Sequence, residues 1–266
     1  MSNLKGGLTL HIFLRHITIL LRTVLPIAAA AQDGRMTFLI HMDSVSKVYD
    51  NGSVALSDIN LDIEKGEFVF VVGPSGAGKS TFIKLITREE WPSSGQLIVN
   101  GRNVGGLTSS EVPYFRRSLG IVFQDYRLLP NKTVYENVAF AMQVIEASRR
   151  EMQKQVNHVL DLVGLRGKAR CFPAELSGGE QQRVAIARAI VNNPLVVIAD
   201  EPTGNLDPDT SWEIMKIFEK INKSGTTIVM ATHDKTVVDM MRRRVIAIEK
   251  SRIVRDQVKG VYGYED

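Results

Sequence analysis

Cysteine is nearly missing from this chain. Cys171 is the single one in 266 residues, which excludes a disulfide framework and a Cys-rich zinc site. One thiol without a mate fits a reducing compartment. An excess of either charge is also missing. Lys+Arg 33 against Asp+Glu 29 leaves a formal +4. Lys5, Arg15, Arg22 and Arg35 against Asp33 place +3 of it before Met36, so the rest of the chain carries only +1. A body so close to neutral has little attraction for a phosphodiester backbone, and no nucleic-acid partner is expected. Internal repeats and Pro- or Ser-rich linkers are absent as well. The content is ordinary for a globular protein, 44% hydrophobic and 23% charged, which excludes a disordered or collagenous chain.

No uncharged apolar run approaches the ~20 residues that span a bilayer. The nearest approach, from Leu8 to Ala31, is broken by Arg15 and Arg22. Leu10, Phe13, Leu14, Ile17, Leu21 and Val24 recur at helical spacing, with His11, Arg15, Thr18 and Arg22 opposite. A basic amphipathic helix of this kind suits a membrane surface. A secretory signal, or a translated leader ahead of a start at Met36 or Met42, reads the same residues differently. Residues 1–35 are therefore set apart as a leader or amphipathic extension, and 36–266 as the folded domain.

From Phe38 on, short β-branched runs alternate with helical patterns. Strands are expected at Phe38–Met42, Ile59–Ile63, Phe68–Val72, Gln96–Val99, Gly120–Phe123, Leu195–Ala199, Thr227–Ala231 and Val245–Glu249. Several are continuous apolar runs, as in parallel strands buried on both faces. Helices are expected at Lys79–Arg88, Glu180–Val191, Asp209–Ile221 and Lys235–Arg242. Between Val134 and Leu165 only helical text appears, closed by Gly164, which predicts an inserted helical subdomain over about 125–176.

Gly73-Pro74-Ser75-Gly76-Ala77-Gly78-Lys79-Ser80 fits G-x-x-x-x-G-K-[ST] in full, after an apolar strand and before a helix. Glycines let successive backbone N–H groups close on phosphate oxygens, and the helix N-terminus adds partial positive charge. Lys79 is expected to neutralise the β- and γ-phosphates, and Ser80 to offer its hydroxyl to Mg²⁺. Thr81 is assigned to the same nucleotide-binding turn. The strand Leu195–Ala199 ends in Asp200-Glu201. Asp200 is placed to hold the magnesium, and Glu201 to polarise a water for in-line attack.

A second anion site is written at Leu176-Ser177-Gly178-Gly179-Glu180, where Ser177 is a natural N-cap and two glycines leave N–H groups open. One nucleotide does not need two cradles from one chain, so a second chain must bring the mate. This run resembles the signature L-S-G-G-Q of the ABC-transporter ATP-binding subunits, with Glu180 in the last place. The resemblance covers about residues 38–250. It makes Gln124 the Q-loop glutamine that touches magnesium, Gly204-Asn-Leu-Asp207 the D-loop, His233 the switch histidine at the γ-phosphate, and Tyr49 the aromatic that stacks on adenine. The fold it implies is α/β, a P-loop ABC ATPase with a RecA-like mixed sheet core, an antiparallel β-subdomain and an inserted α-helical subdomain.

Within the family, Val122–Pro130 and Thr133–Val138 resemble the bacterial cell-division branch. That resemblance implies a peripheral homodimer, formed on ATP, at the cytoplasmic face of the membrane, driving an integral membrane partner rather than moving a solute. ATPases of lipoprotein release or macrolide export share most of the motifs and are the alternative. Soluble family members that act on DNA or ribosomes fit less well, for want of a coiled-coil insertion or a second cassette. The partner's docking surface is expected between Asp125 and Phe140, through Tyr126, Leu128 and Leu129.

Overall fold

The computed structural model describes residues 38–263. The amphipathic pattern from Leu10 to Val24 lies outside the described residues. Two sheets form the frame. The first has strands β1 (Ile40–Val48), β2 (Val54–Ile63), β4 (Ser94–Val99) and β5 (Arg102–Asn103) in the order β2-β1-β4-β5. Its pairings are all antiparallel. The second holds β3 (Phe68–Val72), β6 (Leu119–Val122), β7 (Val196–Asp200), β8 (Thr227–Ala231), β9 (Arg244–Glu249) and β10 (Arg252–Gln257), in the order β10-β9-β3-β8-β7-β6. Its pairings are parallel except β10 against β9.

The apolar runs explain the layering. Every residue of β3 is buried. Phe68, Phe70 and Val72 face one core, and Val69 and Val71 face the other. That is the period of two expected of a strand covered on both sides. On one side lie helices α3 (Val134–Gln143), α4 (Arg149–Leu162), α5 (Gly178–Ile190), α6 (Pro208–Lys223) and α7 (Lys235–Met241). On the other lie the antiparallel sheet, α1 (Lys79–Ile86) and Phe115 of the short α2 (Val112–Arg116).

Capping residues fix the helical stretch. Thr133 with Glu136 and Ser148 with Glu151 each form a reciprocal capping box at the starts of α3 and α4. Gly164, at φ +71°, ends the pair. Arg166–Lys168 and Pro173–Glu175 are single 3₁₀ turns leading to α5.

Three elements have no counterpart among the expected ones: β5, α2 and β10. β10 buries none of its residues and carries Arg252, Arg255 and Asp256 along the sheet edge, the charged dress that keeps an edge from pairing with other chains. β1 and β2 also run longer than their apolar cores. Polar residues at Asp43, Ser44 and Ser46 face outward, and bulges break the register between Met42 and Val48.

The close approach of β6 to α5 depends on Gly120. A Cβ there would stand 2.7 Å from the Ala189 carbonyl oxygen and 2.9 Å from Val197 Cγ2. Gly120→Ala should therefore overpack this seam and destabilise the protein by roughly 1–3 kcal/mol. Chemical denaturation would measure it, and an unchanged midpoint would show that helix and strand separate without cost.

Candidate active site

The carboxyl ends of β3, β8 and β7 stand side by side, because β8 lies between the other two. In open α/β sheets ligands bind beyond such ends. The loop Gly73–Gly78 leaves β3 and turns into α1. Gly78 is the N-cap at φ +113°, a conformation that penalises any side chain, and a Cβ there would also strike the Ala55 carbonyl. Lys79 folds back over the loop and donates to the carbonyls of Gly73 at 2.8 Å and Pro74 at 3.1 Å. Its ammonium is thus held against the start of the loop.

A cavity of about 770 Å³ opens on this loop. Gly73, Pro74, Ser75, Gly76, Gly78, Lys79, Ser80 and Thr81 line it, together with Tyr49, Glu201 and His233. Ala77 is buried behind the loop instead. Tyr49 sits at the mouth, its hydroxyl sharing a 3.1 Å hydrogen bond with that of Thr81 and its ring 5.1 Å from the Lys47 ammonium. That leaves a flat aromatic wall beside the phosphate loop.

Glu201 occupies the far end. It has φ +47°, an uncommon backbone state for glutamate and one that clusters at functional sites. Its N–H bonds to the Ala231 carbonyl, which holds the turn against β8. Its Oε2 lies 2.8 Å from Nδ1 of His233 and accepts the His233 backbone N–H at 3.2 Å. The carboxylate is mostly buried while the imidazole is exposed, so the pair joins a shielded base to a ring that faces solvent.

Asp200 ends β7 behind Glu201. Burial, then the charge of Glu201, raises its pKa, and the Lys79 and Lys84 ammonium groups oppose the shift. A buried carboxylate with incomplete compensation is a place where a cation fits. Among the described residues no three His, Cys, Asp or Glu side chains converge as a metal cage. Magnesium needs none, since it keeps waters and takes one or two protein oxygens beside phosphate. The Ser80 hydroxyl at the cavity wall and the Asp200 carboxylate beside Glu201 are hard oxygens of that kind.

Gln124 does not line the cavity. It is exposed after β6, and its amide donates to Asn205 Oδ1 at 3.3 Å. The Gly204 N–H bonds to the Glu201 carbonyl, so Gln124, the Gly204–Asp207 turn and Glu201 form one connected stretch. Asp207 caps α6 by accepting the Thr210 N–H at 2.9 Å; the Thr210 hydroxyl first, and then this backbone bond, lowers its pKa.

Ser177, Gly178, Gly179 and Glu180 also lie outside the cavity wall of their own chain. Ser177 caps α5, and Glu180 completes the box. The Glu180 carboxylate pairs with Lys168 at 2.5 Å and accepts the Ser177 N–H at 3.0 Å, which lowers its pKa. Its charge is therefore spent within the chain, which explains how a carboxylate is tolerated at the end of the signature. From the same helix, the buried Gln182 amide donates to the Pro202 carbonyl at 2.6 Å, one residue beyond Glu201.

Tyr126, Leu128 and Leu129 of the expected docking segment are only partly exposed. Tyr126 and Arg127 have φ +59° and +47°, and their carbonyls both accept from the Arg188 guanidinium, at 2.8 and 2.6 Å. That clamp turns the Tyr126 hydroxyl against Gly178 and packs Leu128 on the core. Burial raises the Tyr126 pKa accordingly. More exposed are Phe140, the last residue of that segment, at 46%, and Val144, at 39%. They border a groove with Arg116, Arg117 and Arg188.

Sequence reasoning missed four residues of the cavity wall. Ser53 precedes β2, Val54 and Ala55 begin it, and Tyr262 lies beyond β10. The Tyr262 phenol is raised in pKa by burial and by the Glu201 charge, against a backbone hydrogen bond with Gly73.

The profile of the ABC transporter family matches residues 56–204. The cell division ATP-binding protein FtsE of Streptococcus pneumoniae is 60% identical over 228 residues, 86% of this chain and 99% of that protein. FtsE of Bacillus subtilis is likewise 60% identical over 228 residues, 86% of this chain and all of that protein. Among solved structures, a dimeric post-hydrolysis state of the ATP-binding cassette MJ0796, bound to ADP and Pi, superimposes with a TM-score of 0.75. It is 35% identical and covers 85% of this chain and 100% of its own.

Proposed function

The chain belongs to the ABC transporter family as an ATP-binding, ATP-hydrolysing subunit, and we propose that it forms a homodimer on the cytoplasmic face of a bacterial membrane, where it drives an integral partner of the FtsX type during cell division. The observation that carries this reading is the meeting of the phosphate loop with Glu201 and His233 in one cavity, in a chain so similar to FtsE proteins. Among the described residues no helix is long and apolar enough to cross a membrane, so action across a bilayer falls to the partner.

ATP lies with its base on Tyr49 and its phosphates on the amides of Gly73–Ser80. Lys79 neutralises the β- and γ-phosphates. Ser80, Asp200 and Gln124 would hold Mg²⁺, which when bound screens the phosphate charge. The Ser177 cap and the Gly178-Gly179 amides of a second copy close the γ-phosphate side, since they do not reach the cavity of their own chain. Glu201 takes the proton of the attacking water, and His233 keeps that carboxylate aimed at the γ-phosphate. ADP and phosphate leave as the two copies part. Gln124, tied to Asn205, moves with that change. The helical stretch of about 125–176 carries it to the partner, whose response activates cell-wall hydrolases.

The partner's cytoplasmic helix seats in the groove beside α2 and α3. Phe140 and Val144 supply the apolar floor, and Arg116 and Arg117 select an acidic, amphipathic helix. Changing Phe140 and Val144 together to Glu should abolish co-purification with the membrane partner and block division. ATP affinity should stay within about twofold, because neither residue touches the cavity. A stably folded double variant that still binds the partner would move the interface elsewhere.

A further inference from the structure

The last described residues form a strap that the motifs do not account for. After β10 the chain doubles back, and the Arg255 guanidinium donates to the carbonyls of Val261 and Tyr262 at 2.8 Å each, and to that of Gly263. The Gly260 N–H bonds to the Arg243 carbonyl at 3.0 Å. A Cβ at Gly260 would stand 3.0 Å from that of Val245, so the strap hugs β9. Helix α7, which begins two residues after His233, grips the tyrosine twice. Asp239 Oδ1 accepts the Tyr262 N–H at 2.7 Å, and the Lys235 ammonium lies 5.5 Å from the ring centroid. The side chain so held lines the cavity beside Gly73, Glu201 and His233. This many fixed contacts describe a wall rather than a flap.

We propose that Tyr262 is a positioning residue for ATP hydrolysis: the Arg255-clamped strap places its side chain on the cavity wall that Glu201 also lines, shielding that carboxylate from bulk water and limiting how it turns. This rests on the reading of Glu201 as the base. The side chain packs on the hydrophobic core and shares the cavity wall with Gly73 of the loop. One aromatic residue therefore spans the phosphate loop, the end of β7 and the helix behind His233. A wall at that place restricts how Glu201 turns, and a misplaced base loses rate without loss of substrate binding.

The test uses the full-length protein in single-turnover ATP hydrolysis, with nucleotide affinity measured separately. Tyr262→Ala should cut the rate about tenfold and change ATP affinity less than about twofold. Tyr262→Phe, which keeps the ring, should recover most of the rate. Arg255→Ala releases the strap without entering the cavity and should copy Tyr262→Ala, which covers the case where that variant folds poorly. In a Glu201→Gln background, Tyr262→Ala should add less than about a twofold loss, because both act on one group. An unchanged rate in Tyr262→Ala, a matching loss of ATP affinity, or a full further loss on Glu201→Gln would each overturn the proposal. Glu201→Gln turning over like wild type would instead overturn the assignment of the base itself.

Discussion

Glu201→Gln should bind ATP as well as the parent chain while its hydrolysis rate falls by about 10²–10⁴. The amide keeps the shape of the carboxylate and its place under the Ala231 carbonyl, where the backbone N–H of residue 201 is anchored. It also keeps one oxygen to accept the His233 N–H. What it loses is the capacity to take a proton from water. The left-handed backbone at this position, φ +47°, is uncommon outside Gly, Asn and Asp. A residue held in it by neighbouring strands already has its direction fixed before substrate arrives. Binding and chemistry should therefore separate cleanly, and the variant should collect as an ATP-bound dimer in gel filtration. Hydrolysis at the parental rate would remove Glu201 from the mechanism. Loss of binding would show that its charge supports the pocket rather than the reaction.

The parts of this site that could be read from residues alone are those carried by one continuous segment. Phe68–Val72 is legible as a strand covered on both faces because both cores draw on it. The phosphate loop follows because strand, glycines, lysine and helix are adjacent in the chain. Thr133, Ser148 and Ser177 announce the starts of their helices by the acid three residues on. Tyr262 leaves no such signal. Its position is made by Arg255 on one strand and Asp239 on a helix, and neither contact has a local pattern. The β10 strand is illegible for the opposite reason, since it buries nothing. That Tyr126 and Leu128 are less exposed than expected has a single physical source. Two consecutive residues with positive φ turn the chain inward onto Arg188, and nothing in Asp-Tyr-Arg-Leu-Leu forecasts that conformation. Glu180 illustrates the limit of a family pattern. Only the placement of Lys168 shows where its charge goes.

Lys79→Ala acts on the other half of the reaction and should remove tight nucleotide binding. Lys79 is the one lysine or arginine among the described residues that line the cavity. Its ammonium rests on two backbone carbonyls, at 2.8 and 3.1 Å. Those are neutral acceptors that it exchanges for phosphate oxygens at little cost. Charge-assisted bonds of this kind contribute about 1.5–3 kcal/mol each, so losing two of them weakens binding by about a hundredfold or more. The fold should not suffer, because the side chain crosses the loop rather than filling a core. The free variant should unfold near the parental temperature, and the upward shift that Mg·ATP gives the parent should vanish. A second effect follows from the same charge. The Lys79 ammonium opposes the rise in the Asp200 pKa that burial and Glu201 impose. Its removal should push that carboxyl further up and weaken the place assigned to magnesium as well. Titration calorimetry of Mg·ATP against both proteins would read the loss directly. Equal affinities in a folded Lys79→Ala protein would mean that the phosphates lie elsewhere, whatever the loop resembles.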